Sequence, residues 1–248
     1  MKKKRKNNIF TLDFSSFNKK IEECKYMLEE ASFYKKLLEQ IKQCFIYMAI
    51  TKIDSILCYG LGNFTSSSIS RYQLAVLLLL KDYFHVNVYI YDPIFTENEV
   101  NFLIKFNIKI IEQNEAGFRK IDNITLVFLP HCPTKLINNL LWSNWNRQLS
   151  KCIVLGNSFT RLAEYGIERD FKEKYFYVHS ILPAIKELEI ENNFRYTDIF
   201  NDISLHIFLH HILLEFPEVF WENNPKPLYN DNDIEYISSK LSTDCIID

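Results

Sequence analysis

Seven residues have the types and placement to meet a ligand: Gly60, Gly62, Asn63, Asp92, Glu115, His131 and Asn157. Gly60 and Gly62 stand one residue apart directly after an apolar run, in a chain that holds 5 glycines among 248 residues. Backbone without side chains can turn sharply there, and a phosphate, ribose or carboxylate can approach its amide groups. A pair lacking the third glycine of the dinucleotide fingerprint is a weak signal alone. Asp92 ends the next apolar run, where nucleotide-binding sheets place an acid that accepts hydrogen bonds from ribose hydroxyls. Its distance from Gly60 exceeds the roughly 20 residues of the fingerprint, so a long first crossover is required. The competing role for Asp92-Pro93 is as N-cap and first residue of the following helix, and the two roles are compatible.

Pro130-His131-Cys132-Pro133 presents an imidazole and a thiol in a turn stiffened by two prolines. Adjacent side chains on an extended segment point in opposite directions, which opposes a Cys-His nucleophile pair. His131 alone is a candidate polar or acid/base group, or else a structural turn histidine. His206 and His210 have the spacing of two ligands one helical turn apart, but no H-E-x-x-H context surrounds them, and core-edge histidines are the expectation. Ser66, Ser67, Ser68 and Ser70 are placed to cap the next helix or to touch an anion. Trp142 and Trp145 are read as packing residues. No G-x-S-x-G elbow, P-loop lysine motif or full zinc pattern occurs, so neither a catalytic constellation nor a metal site is assigned.

These residues need a scaffold that gathers them. Mostly apolar short runs at 53–59, 86–91, 107–111, 124–129 and 151–155 read as strands covered on both faces, with a weaker candidate at 175–181. Helical patterns lie between them at about 68–84, 96–106, 135–149 and 158–168, and a closing helix is expected at about 198–215. Before them, apolar residues from Ile21 to Met48 recur at steps of three and four, predicting a long N-terminal helix over about 20–49 that is open to a break near Ser32. Such βαβα alternation predicts an α/β fold built on a doubly wound, mostly parallel sheet. Ligands bind such sheets beyond the carboxyl ends of the strands, and every expected exit carries polar or turn residues. Residues 1–19 read as a basic flexible tail, 20–220 as a single domain, and 221–248 as a loosely packed tail with a short helix at 232–241.

With 48% hydrophobic and 15% aromatic residues the chain can fill one sizeable core. A formal net charge of −2 argues against a general attraction to nucleic acid or anionic membrane. No run approaches the roughly 18–20 apolar residues that span a bilayer. The 6 cysteines form no C-x-x-C pair, which suits a reducing compartment. Lys2 to Lys6 form a basic run without a following apolar segment, either a solvated tail or a nuclear signal. A cytoplasmic protein, also nuclear under the second reading, is expected.

Several blocks together resemble the sensitivity-to-red-light-reduced family: Tyr59-Gly60-Leu61-Gly62, the segment Ser70 to Ala75, Tyr91-Asp92-Pro93, Asn114-Glu115, Pro130 to Pro133, Asn138 to Trp142 with Asn144-Trp145, and Gly156 to Phe159. They cover about residues 54–160. The resemblance implies a Rossmann-like domain and a regulatory role in light signalling and circadian clock input, with a link to haem metabolism in animals and members in cytoplasm and nucleus. It supplies no catalytic residue. Two readings follow from it. One is a non-enzymatic regulator that contacts an unidentified regulatory protein and whose rim either binds a nucleotide-like molecule or haem or is a vestige. The alternative is a methyltransferase-like or other nucleotide-dependent enzyme, with Asp92 on the ribose, Glu115 near the base and His131 at the reacting centre. The cofactor is left open.

Overall fold

The computed structural model describes residues 14–164, 168–222 and 224–229. Two N-terminal helices, α1 (Phe14–Glu30) and α2 (Ser32–Met48), precede the alternating part of the chain. There follow β1 (Ser55–Tyr59), α3 (Ser68–Phe84), β2 (Asn87–Tyr91), α4 (Glu97–Lys105), β3 (Ile108–Ile110), β4 (Thr125–Leu129), α5 (Thr134–Ser143) and β5 (Cys152–Asn157). The last part holds α6 (Phe159–Glu164), α7 (Glu168–Lys174), α8 (Phe176–Ile181), β6 (Lys186–Glu189), β7 (Ile203–Ile207), α9 (His210–Glu215) and α10 (Glu218–Trp221).

The strands form one seven-stranded sheet in the order β3-β2-β1-β4-β5-β7-β6. β1 to β5 are parallel, and β7 runs antiparallel between β5 and β6. The register aligns Ser55 with both Asn87 and Thr125, and Thr125 with Cys152, so the β1, β2, β4 and β5 tips end at one edge. Alternation along each strand sends side chains to two cores. Ile56, Cys58, Leu126 and Phe128 pack with α1 to α4 on one face, and Leu57, Tyr59, Val127 and Val154 pack with α5, α8 and α9 on the other. Burial on both faces explains why β4 is apolar at every described position but its first.

Three expectations are corrected. The long N-terminal helix is two helices, broken at Ala31, which is extended at φ −77° and ψ 141°. The break lets α1 lie along α3 while α2 reaches β7, and Phe33 stacks on Phe200 with ring centroids 4.4 Å apart. The segment 175–181 is helical rather than a strand. Its first turn is fixed from outside, because the Asn138 side-chain oxygen accepts hydrogen bonds from the backbone N–H of Tyr177 (3.0 Å) and Val178 (3.2 Å). The stretch 198–215 is a 3₁₀ turn, the strand β7 and the short helix α9, not one helix. Pairing against β5 and β6 overrides the local helical pattern there. β6 itself, Lys-Glu-Leu-Glu, is a charged edge strand without the apolar signature of a buried one.

Smaller differences sit at element ends. α5 stops at Ser143 and a 3₁₀ turn covers Arg147–Lys151, where a helix to 149 was expected. The helix expected at 158–168 ends at Glu164, and 165–167 lie outside the described residues, as does the helix expected at 232–241. The described part of the C-terminal tail, 224–229, is tied down rather than loose. Trp142 Nε1 donates to the Asn224 carbonyl (2.9 Å), Tyr177 Oη to the Pro225 carbonyl (2.7 Å), and Tyr229 Oη to Asn139 Oδ1 (3.0 Å).

Candidate functional site

Beyond the tips of β1 and β2 the chain makes the predicted glycine turn, with Gly60 at φ 66° and Gly62 at φ 82°. Its amides are already engaged. The Gly60 N–H donates to the Tyr91 carbonyl (3.3 Å) and the Gly62 N–H to Asp92 Oδ2 (2.7 Å). The second carboxylate oxygen of Asp92 accepts from the Ile94 N–H (3.0 Å). Asp92 therefore stitches the β1 exit to the β2 exit. A side chain at either glycine would also collide: a Cβ on Gly60 would sit 2.5 Å from Cys132 Sγ, and one on Gly62 would sit 2.6 Å from Ser70 Oγ. Close packing and left-handed backbone account for both glycines.

Asp92 is buried, and burial pushes its carboxyl above the usual range against the lowering pull of the two backbone amides. It does not cap α4. That role belongs to Thr96, which forms a capping box with Glu99. Each Asp92 oxygen accepts one backbone hydrogen bond and keeps further acceptor capacity.

Between these exits, the loop after β3 and the start of α5 lies a cleft lined by Tyr59, Gly60, Asp92, Ala116, Gly117 and Lys135 among others. Its room is about 70 Å³, well under the roughly 300–1,000 Å³ of a typical ligand pocket and on the scale of about two water molecules, so only part of a ligand enters it as it stands. One wall is braced by charge. Tyr59 Oη donates to Glu115 Oε2 (2.5 Å), and Arg119 donates to both Glu115 oxygens (2.7 and 2.9 Å). Burial alone would raise the Glu115 pKa, but the hydrogen bonds from Arg119 and Tyr59 hold it below its ordinary value. Tyr59 is raised far above a free phenol, first by burial and then by Glu115.

The seven predicted residues share one sheet edge and divide there into groups. Gly60 and Asp92 line the cleft. Glu115 supports the wall residue Tyr59. Gly62 and Asn63 build the turn, with Asn63 Oδ1 accepting from Thr65 Oγ1, the Ser66 N–H and Ser66 Oγ. His131 is exposed at φ 52°, and its Nε2 lies 3.1 Å from the Ile199 carbonyl, outside the cleft lining. Asn157 Nδ2 donates to the Cys132 carbonyl (2.9 Å) and steadies the Pro-His-Cys-Pro turn. Cys132 is buried with its thiol donating to the Tyr59 carbonyl (3.0 Å), and burial pushes that thiol far above its ordinary value. A Cys-His pair with a thiolate nucleophile is thereby removed. Among the serines, Ser67 caps α3 by accepting from the Ser70 N–H.

His206 and His210 do not share a helix face, since His206 is in β7 and His210 begins α9. Among the described residues no cluster of three or more His, Cys, Asp or Glu could hold a metal ion, and no helix is long and apolar enough to cross a membrane. Lys135 is the cleft residue that sequence reasoning missed. It is 1% exposed on α5, beside the equally buried Asn138 and Asn139. The available signal was a row of polar side chains, Thr134, Lys135, Asn138 and Asn139, in a helix directly after a buried strand exit.

The family model for the SRR1 domain matches residues 31–207. The chain is 40% identical over 133 residues to the SRR1-like protein of Mus musculus, covering 52% of this chain and 53% of that protein. Against the SRR1-like protein of Drosophila melanogaster it is 31% identical over 158 residues, 63% of this chain and 55% of the relative. Against the Arabidopsis thaliana protein SENSITIVITY TO RED LIGHT REDUCED 1 it is 32% identical over 148 residues, 55% and 54% respectively. The chain spans about half the length of the curated relatives it matches.

Proposed function

The chain belongs to the SRR1 domain family, and from that premise we propose that it is a regulatory protein whose output is a contact with another protein and whose rim cleft takes a nucleotide-like molecule. In this reading it serves a signalling pathway of the clock-input type, in cytoplasm and nucleus, and residues 20–220 act as one Rossmann-like unit. The observation that carries the ligand is the position of Asp92. Its carboxylate is buried at the cleft, fixed by two backbone amides, and retains lone pairs for ribose hydroxyls. The strand order supports the same place, because the sheet changes direction of winding between β1 and β4, the switch point where open α/β sheets bind ligands.

A second reading, a methyltransferase-like or other nucleotide-dependent enzyme, is favoured by one feature. An antiparallel β7 inserted between β5 and β6 is a strand order shared with methyltransferase sheets, which is an analogy of fold. Against it stand His131, turned to the Ile199 carbonyl, and the buried thiol of Cys132. Thermal-shift screening with nucleotides, S-adenosylmethionine and haem tests the ligand, because a molecule bound only by the folded state raises Tm. A nucleotide is expected to raise it and Asp92→Ala to abolish the rise. A rise that survives Asp92→Ala sinks the assigned pocket. Product formation with S-adenosylmethionine would favour the second reading.

A further inference from the structure

The chain's own C-terminal segment lies against α5, the helix that brings Lys135 to the cleft. Residues 224–229 run along α5 outside the sheet and end with Tyr229 at the buried polar face formed by Lys135, Asn138 and Asn139, which are spaced to lie together on one side of the helix. Asn138 Nδ2 donates to Tyr229 Oη (2.9 Å), and Tyr229 Oη donates to Asn139 Oδ1 (3.0 Å). The Lys135 ammonium lies 4.9 Å from the centre of the Tyr229 ring. One of these residues lines the cleft and another holds a lining residue in place. Lys135 lines it directly. Asn139 Nδ2 donates to the carbonyl of Ala116, a lining residue next to Gly117, where a Cβ would meet the Leu136 carbonyl at 2.4 Å and no slack remains.

Resting on the ligand reading above, we infer that residues 224–229 are a strap that keeps Lys135 turned onto the Tyr229 ring, and that displacing the strap hands this cation to the cleft as the binding group for a phosphate beyond the sugar. The cleft with the strap in place holds about 70 Å³, short of what a sugar and its phosphate need together. When Tyr229 leaves, the face it covers opens beside the cleft, and Lys135 can trade a cation–π contact for a charged acceptor. A protein whose competent form is a minority binds its ligand weakly in proportion, so loosening the strap raises apparent affinity without a new contact from outside. The strap is held by hydrogen bonds and cation–π contacts over few residues, which is the class of contact that opens locally before the sheet does.

Tyr229→Ala removes the ring and hydroxyl, and Tyr229→Phe removes the hydroxyl alone. AMP and adenosine are the probes, since they differ by the phosphate. AMP is expected to bind Tyr229→Ala about tenfold more tightly than wild type, the scale of one charge-assisted hydrogen bond, with a smaller gain for adenosine and for Tyr229→Phe. Adding Lys135→Met should cancel the AMP gain. Equal gains for both probes, or a gain that survives Lys135→Met, overturn the inference. Lys135 acetylation by an amine-reactive ester, read by peptide mass spectrometry against Lys52, whose side chain is 78% exposed, judges the strap without any ligand. It should rise in Tyr229→Ala while Tm holds, and unchanged labelling refutes the strap. Trp142 fluorescence follows release of the Asn224 contact in the same samples. Failure of both probes on every protein counts against the nucleotide reading, and the labelling then decides the strap alone.

Discussion

Two buried titratable groups sit at different levels of the same sheet, Asp92 beyond the tip of β2 and His206 within the antiparallel β7, beside Val154 in the middle of β5. His206 is fully enclosed. Its Nδ1 lies 3.1 Å from the Val154 carbonyl, its Nε2 faces the Phe159 N–H at 3.3 Å, and its ring stacks on Phe159 with centroids 4.0 Å apart. The Glu187 carboxylate also lies 3.6 Å from Nε2, so both ring nitrogens and one ring face are engaged within the core. Asp92 is also held by backbone amides, but it faces a cleft and keeps acceptor capacity. The contrast separates a polar group that completes a core from one that remains available. Perturbed chemistry marks a site only where space adjoins it.

Truncation should expose that contrast most strongly. His206→Ala leaves the Val154 carbonyl and Phe159 N–H without their partner and opens a cavity under Phe159, so about 4 kcal/mol of unfolding free energy should be lost in urea titration. A loss under 1 kcal/mol would mean that water or a neighbour replaces the imidazole, and the two groups would then be alike.

Next in size is Gly60→Ala, on the cleft side. The left-handed backbone and the Cβ that would sit 2.5 Å from Cys132 Sγ together predict a cost of about 2–3 kcal/mol. The pair Gly60→Ala with Cys132→Ala removes the collision and keeps the backbone strain. The Gly60→Ala change should therefore cost less in a Cys132→Ala background, and an unchanged cost would assign the glycine to backbone conformation alone.

The parts of this fold differ in how far they can be read from residues. β1, β2 and β4 announce themselves as apolar runs, and α3 matches its expected span because its cap, Ser67, is local. α8 and β7 do not, since the first is capped by Asn138 from another helix and the second depends on partners on both sides. The same division holds at the site. Gly60 and Asp92 were legible because strand exits bring them together, whereas the direction of His131 depends on the distant Ile199 carbonyl. Lys135 belongs to the polar row of α5 whose purpose shows only once its partner Tyr229, in a tail with no periodic signal, is seen beside it.

The smallest effect is one of sign, and it tests the comparison through the carboxylate at each place. Beside His206, Glu187 would be raised by burial, but the His206 ring, Ser158 and Thr160 carry its pKa well below the ordinary value. A depressed folded-state pKa contributes stability above the unfolded value, roughly 4.3, that drains away as pH falls. Asp92 is shifted upward, chiefly by burial, so its ionised form is disfavoured on folding. Its linkage runs the other way: relative stability from this group is present below its unfolded pKa and is lost as pH rises through the folded one. Urea titrations from pH 6 down to pH 3 should therefore diverge. The advantage of wild type over Glu187→Gln should shrink with acid, and its advantage over Asp92→Asn should grow. Parallel trends would mean that Asp92 is solvated through the cleft far more than its burial indicates, and the distinction between a closed and an available group would rest on the cleft's shape alone.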